Sequence, residues 1–175
     1  MRASIIQLKQ VVFQRILVEA LEPSGDAVPD ASASFDFEGV AFRVSLDVNP
    51  APVEGGQNPL NFVVSLAIAI DPEDGKPAPY MIDILALGLI EVAEQVETQK
   101  RRDLALVNGA SLVYGAVREL VTTLTGRCIA GPLVLPTADF RDHSEWLPSP
   151  PAPDADIKPR RRRARTGKQA PPEQA

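Results

Sequence analysis

The sequence predicts an α+β fold, in which a four-stranded antiparallel sheet is followed by a long helix and a short C-terminal helix. Strand-like segments occupy residues 11–91, and turn-forming clusters of Pro, Gly, Asn and Asp separate them. The strongest helical pattern lies later, at residues 106–125. Because the strands come first and the helices follow, we expect the helices to cover one face of the sheet.

Four segments of the first half have the apolar and β-branched composition of strands. They lie at residues 11–21, 35–48, 60–70 and 80–91. In the second segment, Phe42, Val44 and Leu46 alternate with polar residues, which is typical of a strand with one buried face. The fourth segment is apolar on both sides, which predicts a strand inside the sheet or one covered by another layer.

A heptad-like stripe of apolar residues identifies the long helix. Its members recur at spacings of three and four: Val107, Ala110, Tyr114, Val117, Val121 and Leu124. Such a stripe must be buried against another surface. Gly126 is predicted to end the helix in the left-handed conformation, with Arg127 near the carbonyl end. Residues 91–105 leave two interpretations open, an extension of the helix or a solvated charged face.

Small side chains on the same helix predict that another surface approaches its backbone. Gly109 and Gly115 are the clearest cases, because glycine inside a helix costs about 1 kcal/mol relative to alanine. Two interpretations remain open. The pattern alone favours packing inside the domain, and the alternative is contact with a second subunit.

Composition predicts one folded domain at residues 1–147 and a disordered Pro/Arg-rich tail at residues 148–175. The chain has no run of 18 apolar residues, and its N-terminus lacks the apolar stretch of a secretory signal, so we expect a cytoplasmic protein without membrane insertion. The single cysteine, Cys128, excludes an internal disulfide framework in this chain.

Charge divides the chain into an acidic body and a basic tail. Residues 1–150 contain 11 Lys+Arg and 20 Asp+Glu, a formal charge of −9, whereas residues 151–175 contain 7 and 3, a charge of +4. An acidic body disfavours nucleic-acid binding. For the tail with the arginine run at residues 160–163, the favoured interpretation is a solvated segment that partly associates with the acidic body. Binding to an anionic membrane or to nucleic acid is the alternative, and a nucleic-acid-binding adaptor is the candidate from another functional class.

Catalytic and metal-binding patterns are not found in the sequence. His143 and Cys128 stand at unrelated positions, without a second ligand at metal-site spacing. Phosphate-binding glycine loops and nucleophile motifs do not occur. We therefore predict a binding protein without a cofactor, not an enzyme.

Residues 60–145 resemble the SecB family of bacterial export chaperones. Residues 112–119, LVYGAVRE, are similar to that family's helix motif ILFPYARE, although Gly115 and Ala116 replace a Pro-Tyr pair. The segment with Leu133, Leu135 and Phe140 falls on FPxLxLxPVNF, and residues 80–90 resemble the last strand, FLCEVxxxGIF. These segments occur in the family's order and close to its spacing.

The resemblance implies a SecB-like fold and an ATP-independent holdase that binds unfolded polypeptides, with precursors awaiting export through SecA as clients. The alternative within the family is a chaperone dedicated to the antitoxin of a toxin-antitoxin system. The resemblance further implies a homotetramer, a dimer of dimers, in which the motif helix forms an interface. Its implied interface residues are Ser111, Leu112, Tyr114, Gly115, Arg118 and Glu119.

The resemblance also implies a polypeptide-binding groove and a docking surface for SecA. The family's crossover loop carries aromatic residues, whereas residues 22–34 have none, so Phe35 and Phe37 are the nearest candidates. Trp146 is a candidate cap of the groove, and packing of a terminal turn is its alternative. Asp83 falls on an acidic docking position of the family's last strand, and Glu22 lies near the acidic docking residue that follows its first strand; for Asp83 a solvated strand face is the alternative.

Overall fold

The computed structural model describes residues 4–21, 35–52 and 59–144. Its elements are the strands β1 (Ile6–Ala20), β2 (Val40–Pro50), β3 (Asn61–Gly75) and β4 (Tyr80–Val92), the helix α1 (Thr98–Thr125) and a 3₁₀ turn (Arg141–His143). The predicted four-stranded sheet followed by a long helix is confirmed. At the position of the predicted short C-terminal helix, the described residues form the 3₁₀ turn.

The strands form one antiparallel sheet in the order β1-β4-β3-β2. The predicted interior position of the fourth strand is therefore confirmed, since β4 pairs with β1 on one side and β3 on the other. β1 and β2 are the edge strands. The β1–β4 register shifts between Leu8 and Gln10 and again between Phe13 and Arg15. Each shift changes which side chains of β1 face the helix.

Helix α1 covers one face of the sheet and contacts all four strands. Alternate side chains of β3 and β4 point toward it and form the core, including Phe62, Leu66, Ile68, Ile82 and Ile84. Five positions of the predicted apolar stripe are buried: Val107, Ala110, Tyr114, Val117 and Val121. The sixth, Leu124, is 40% exposed, because it lies on the outer side of the last helical turn.

Both ends of α1 differ in detail from the sequence-based expectation. The helix begins at Thr98, so part of the charged stretch before residue 105 is helical. The prediction of a left-handed Gly126 is wrong, because its φ of −60° and ψ of −12° are right-handed. The chain continues in a tight turn, in which the Cys128 N–H donates to the Thr125 carbonyl. The left-handed glycine comes later, at Gly131, where φ is 76°.

Two glycines allow α1 to approach the sheet closely. A Cβ at Gly109 would lie 2.8 Å from Ile90 Cγ1 and 2.9 Å from Val64 Cγ2. A Cβ at Gly88 of β4 would lie 2.3 Å from Val113 Cγ2. The packing reason predicted for Gly109 is therefore confirmed, and it lies inside the domain. Gly115 differs, since a Cβ there would meet no atom of the described residues within 4 Å.

By length and composition alone, α1 is long and apolar enough to cross a membrane. Half of its most apolar 18-residue window is buried inside the protein. The core helix of a globular domain meets the same criterion, and the contacts of α1 with all four strands place it in the core.

We predict that Gly109→Ala lowers the free energy of unfolding by about 1 to 3 kcal/mol, because the added methyl group overpacks the contact with Ile90 and Val64. Urea denaturation measures this change. Asn108→Ala is the matched control, since residue 108 is exposed on the same helical turn and its side chain bonds only to the Leu104 carbonyl. Equal stability of the two variants would contradict the close packing.

Candidate functional site

An extended segment, residues 131–140, lies against α1 after the helix ends. Its apolar side chains alternate between buried and exposed positions. Leu133, Leu135 and Phe140 are buried in the core, whereas Val134 is 55% exposed. The Phe140 ring meets the Tyr114 ring edge-on, with 5.7 Å between the centroids. The segment thus completes the core and presents part of its length to solvent.

Side chains of the helix motif bind the backbone of this segment. Arg118 Nε donates to the Leu135 carbonyl at 2.9 Å, and the Tyr114 hydroxyl donates to the Pro136 carbonyl at 2.6 Å. Burial raises the pKa of Tyr114, and the neighbouring Arg118 partly opposes this rise. The tyrosine therefore stays protonated and acts as a donor at neutral pH.

Thr125 fixes the beginning of the segment. Its buried hydroxyl donates to the Val121 carbonyl at 2.7 Å and accepts from the Leu133 N–H at 2.8 Å. The Tyr80 hydroxyl, whose pKa is raised by burial, donates to the Gly131 carbonyl nearby. Within the described part of the chain, no buried side-chain nitrogen or oxygen lacks a hydrogen-bond partner. The segment is therefore attached to the rest of the protein by buried side chains that are all hydrogen-bonded.

The six predicted interface residues divide between two surfaces. Ser111, Leu112, Gly115 and Glu119 are exposed on the outer face of α1, which we call the outer stripe. Leu112 is 42% exposed there. Tyr114 and Arg118 instead point to residues 131–140 of their own chain. Assembly through these residues stays a prediction, and the outer stripe is the part of the set that another copy can reach.

Phe35 and Phe37 lie together immediately before β2. Their ring centroids are 5.0 Å apart in an edge-to-face arrangement, and Phe37 meets Phe42 of β2 at 6.3 Å. All three rings are half-buried against the core. We call them the aromatic cluster. Trp146, the third predicted groove residue, lies outside the described residues.

The sheet face away from α1 carries Asp83, one of the two predicted docking residues. Asp83 Oδ1 lies 2.9 Å from Arg15 Nη2, so its charge is already paired within the protomer. Half-buried Leu85, Leu87 and Leu89 follow Asp83 along the same face of β4. A role in docking stays a prediction for Asp83. Glu22 lies outside the described residues.

The outer edge of β1 is unpaired in the described sheet. Val12, Ile16 and Leu17 of this strand are each at least two-fifths exposed. A long edge strand with apolar side chains is a template for pairing with another chain. Sequence reasoning missed this edge, because strand order is not visible in a pattern of alternating residues.

Among the residues that the structure describes, neither His143 nor Cys128 is hydrogen-bonded to another side chain. His143 is exposed, with its ring centroid 6.4 Å from that of Phe140. Cys128 is half-buried, and its thiol donates to the Leu124 carbonyl. Among the described residues, no group of three or more His, Cys, Asp or Glu side chains could bind a metal ion.

No protein-family model matches the sequence, and no curated protein matches it significantly. Among solved structures, the chain is similar to the Mycobacterium tuberculosis SecB-like chaperone Rv1957 in complex with a ChAD peptide from the HigA1 antitoxin. They share 18% identity over 76% of this chain and 90% of that chain, with a TM-score of 0.47. A Streptococcus agalactiae protein of unknown function is 12% identical over 77% and 99%, with a TM-score of 0.46.

We predict that Thr125→Val lowers the free energy of unfolding by about 1 to 3 kcal/mol, because it leaves the buried Leu133 N–H without an acceptor. Chemical denaturation measures the loss, and hydrogen exchange should show earlier opening of residues 131–140. The control is Thr123→Val, an exposed position on the same helical turn. If both variants exchange at the same rate, Thr125 does not anchor the segment.

Proposed function

We propose that this protein is a cytoplasmic, ATP-independent holdase chaperone that binds unfolded polypeptides. One observation carries the proposal. The two sequence segments that resemble the SecB helix motif and its following apolar segment contact each other through Arg118 and Tyr114. Two resemblances that are separate in sequence are thus parts of a single structural unit, which is expected if both derive from that family.

Binding of non-native chains fits the surfaces that the fold leaves open. Apolar contact is non-directional, and main-chain hydrogen bonding is independent of sequence, so both suit clients that share no motif. The aromatic cluster supplies apolar area beside β2, and the outer edge of β1, which pairs with no strand of the described sheet, supplies main-chain groups. Binding, rather than catalysis, is the chemistry that these surfaces support.

An oligomer would serve this function by combining several weak sites into one tight complex. We propose a homotetramer in which the outer stripe of α1 meets its copy. Gly115 supports this arrangement, since nothing in the described part of the protomer packs closely enough to require glycine there. Glycine at an exposed helix position is unfavourable by about 1 kcal/mol relative to alanine, so a close approach from outside would explain it.

Export precursors are the proposed clients, with SecA as the receiving partner. An antitoxin is the alternative client, and it requires the same apolar surfaces. Because Arg15 pairs with Asp83, less negative charge is available there for SecA docking. Neither client, the export precursor or the antitoxin, is therefore favoured over the other. Gene neighbourhood distinguishes them: adjacent toxin and antitoxin genes would favour the dedicated chaperone.

We expect Gly115→Leu to lower the oligomeric mass, about halving it if the tetramer separates into dimers, because leucine would prevent close approach of the helices. Light scattering measures the mass, and circular dichroism should show an unchanged fold. Arg102→Leu places the same side chain on another exposed face of α1 and should leave the mass unaltered. A Gly115→Leu variant of wild-type mass would exclude the outer stripe as the interface.

A truncated chain that ends at Pro148 should still suppress aggregation of an unfolded precursor, because the described binding surfaces lie before that residue. Turbidity of the diluted precursor provides the measurement, with the full chain as reference. Loss of suppression would show that the activity requires the basic tail.

Salt-sensitive nucleic-acid binding that disappears on removal of residues 158–168 would support the adaptor alternative instead.

A further inference from the structure

Lys76, in the connection between β3 and β4, reaches the segment that leads into β2. Its Nζ donates to the Asp36 carbonyl at 2.8 Å and pairs with Asp36 Oδ2 at 2.9 Å. The same ammonium lies 5.3 Å from the centroid of the Phe35 ring, within the range of a cation–π contact. One side chain thus makes three contacts with two consecutive residues, Phe35 and Asp36, and Asp36 lies 40 positions away in sequence.

The backbone around Lys76 is held in place by a hydrogen bond and by the close approach of two glycines. The Lys76 N–H donates to the Gly39 carbonyl at 2.7 Å. Gly39 and Gly75 both have positive φ, 83° and 72°, and a Cβ at Gly75 would lie 2.5 Å from Gly39 O. Because the backbone at Gly75 lies so close to the backbone at Gly39, the Lys76 Cα is held at a defined distance from Asp36.

These contacts contribute little to overall stability. The side chains of Lys76 and Asp36 are 40% and 68% exposed, and ion pairs at such positions are screened by water and salt. The pKa of Asp36 is lowered by the Glu38 N–H and by Lys76, so the carboxylate is charged at neutral pH. An arrangement that adds little stability but defines the position of Phe35 points to a role outside folding.

We propose that Lys76 is a positioning residue of the polypeptide-binding site, which orders Phe35 and the aromatic cluster for an apolar, extended client segment. The inference rests on the proposed holdase function. Lys76 acts through Phe35 and does not contact the client. If the Phe35 ring is already ordered in the free protein, client binding does not lose conformational entropy by immobilising this ring. Loss of Lys76 therefore weakens binding without changing the fold.

The test measures the dissociation constant of a fluorescent, unfolded apolar peptide by anisotropy. Lys76→Met keeps the aliphatic stem and should raise the constant about three- to tenfold, with melting temperature and oligomeric mass unchanged. Lys76→Arg should restore most of the affinity, since it keeps the charge. Lys100→Met is the matched control, because Lys100 makes another surface ion pair, with Glu97, in which the lysine is 31% and the glutamate 70% exposed; this variant should not alter the affinity.

A double-mutant cycle separates positioning from direct contact. If Lys76 acts through the Phe35 ring, Lys76→Met should add nothing to the loss caused by Phe35→Ala. Additive losses, or wild-type affinity in Lys76→Met, would overturn the positioning role while the holdase function stands. A wild-type protein that binds no unfolded peptide would overturn both.

Discussion

The close approach of α1 to the sheet determines the rest of this structure. Gly88 and Gly109 remove the side chains that would hold the helix away from β4 and β3. With the helix in that position, Tyr114 and Arg118 reach the backbone of residues 131–140. The opposite side of the same helix presents an exposed stripe around Gly115. The close packing of α1 on the sheet at these two glycines therefore sets both the inner and the outer surfaces of the helix.

Sequence patterns were sufficient for the elements whose physical cause is local. Two-residue alternation identified the strands, and the spacing of apolar residues identified the helix, because burial on one face imposes both periods. The helix end was predicted less well, since the conformation of Gly126 depends on the turn that follows it. β1 begins before the predicted start, at Ile6, because pairing with Val92 of β4 extends it.

The candidate site was predicted less completely, because its contacts depend on tertiary structure. Arg118 was expected in a subunit interface, yet within the protomer it binds the Leu135 carbonyl. The partner of Asp83 depends on the register shift between Phe13 and Arg15, which no local pattern encodes. Lys76 had no distinguishing sequence feature, since only the fold brings it to Asp36.

Sedimentation velocity tests the proposed holdase activity most directly. A labelled, urea-unfolded precursor is diluted into buffer without ATP, in the presence of excess protein. Our account predicts that the label sediments as one soluble complex with an oligomer of this chain, because exposed apolar segments of the precursor are covered by its surfaces. A monomeric protein beside a precursor that pellets as it does alone would contradict the account.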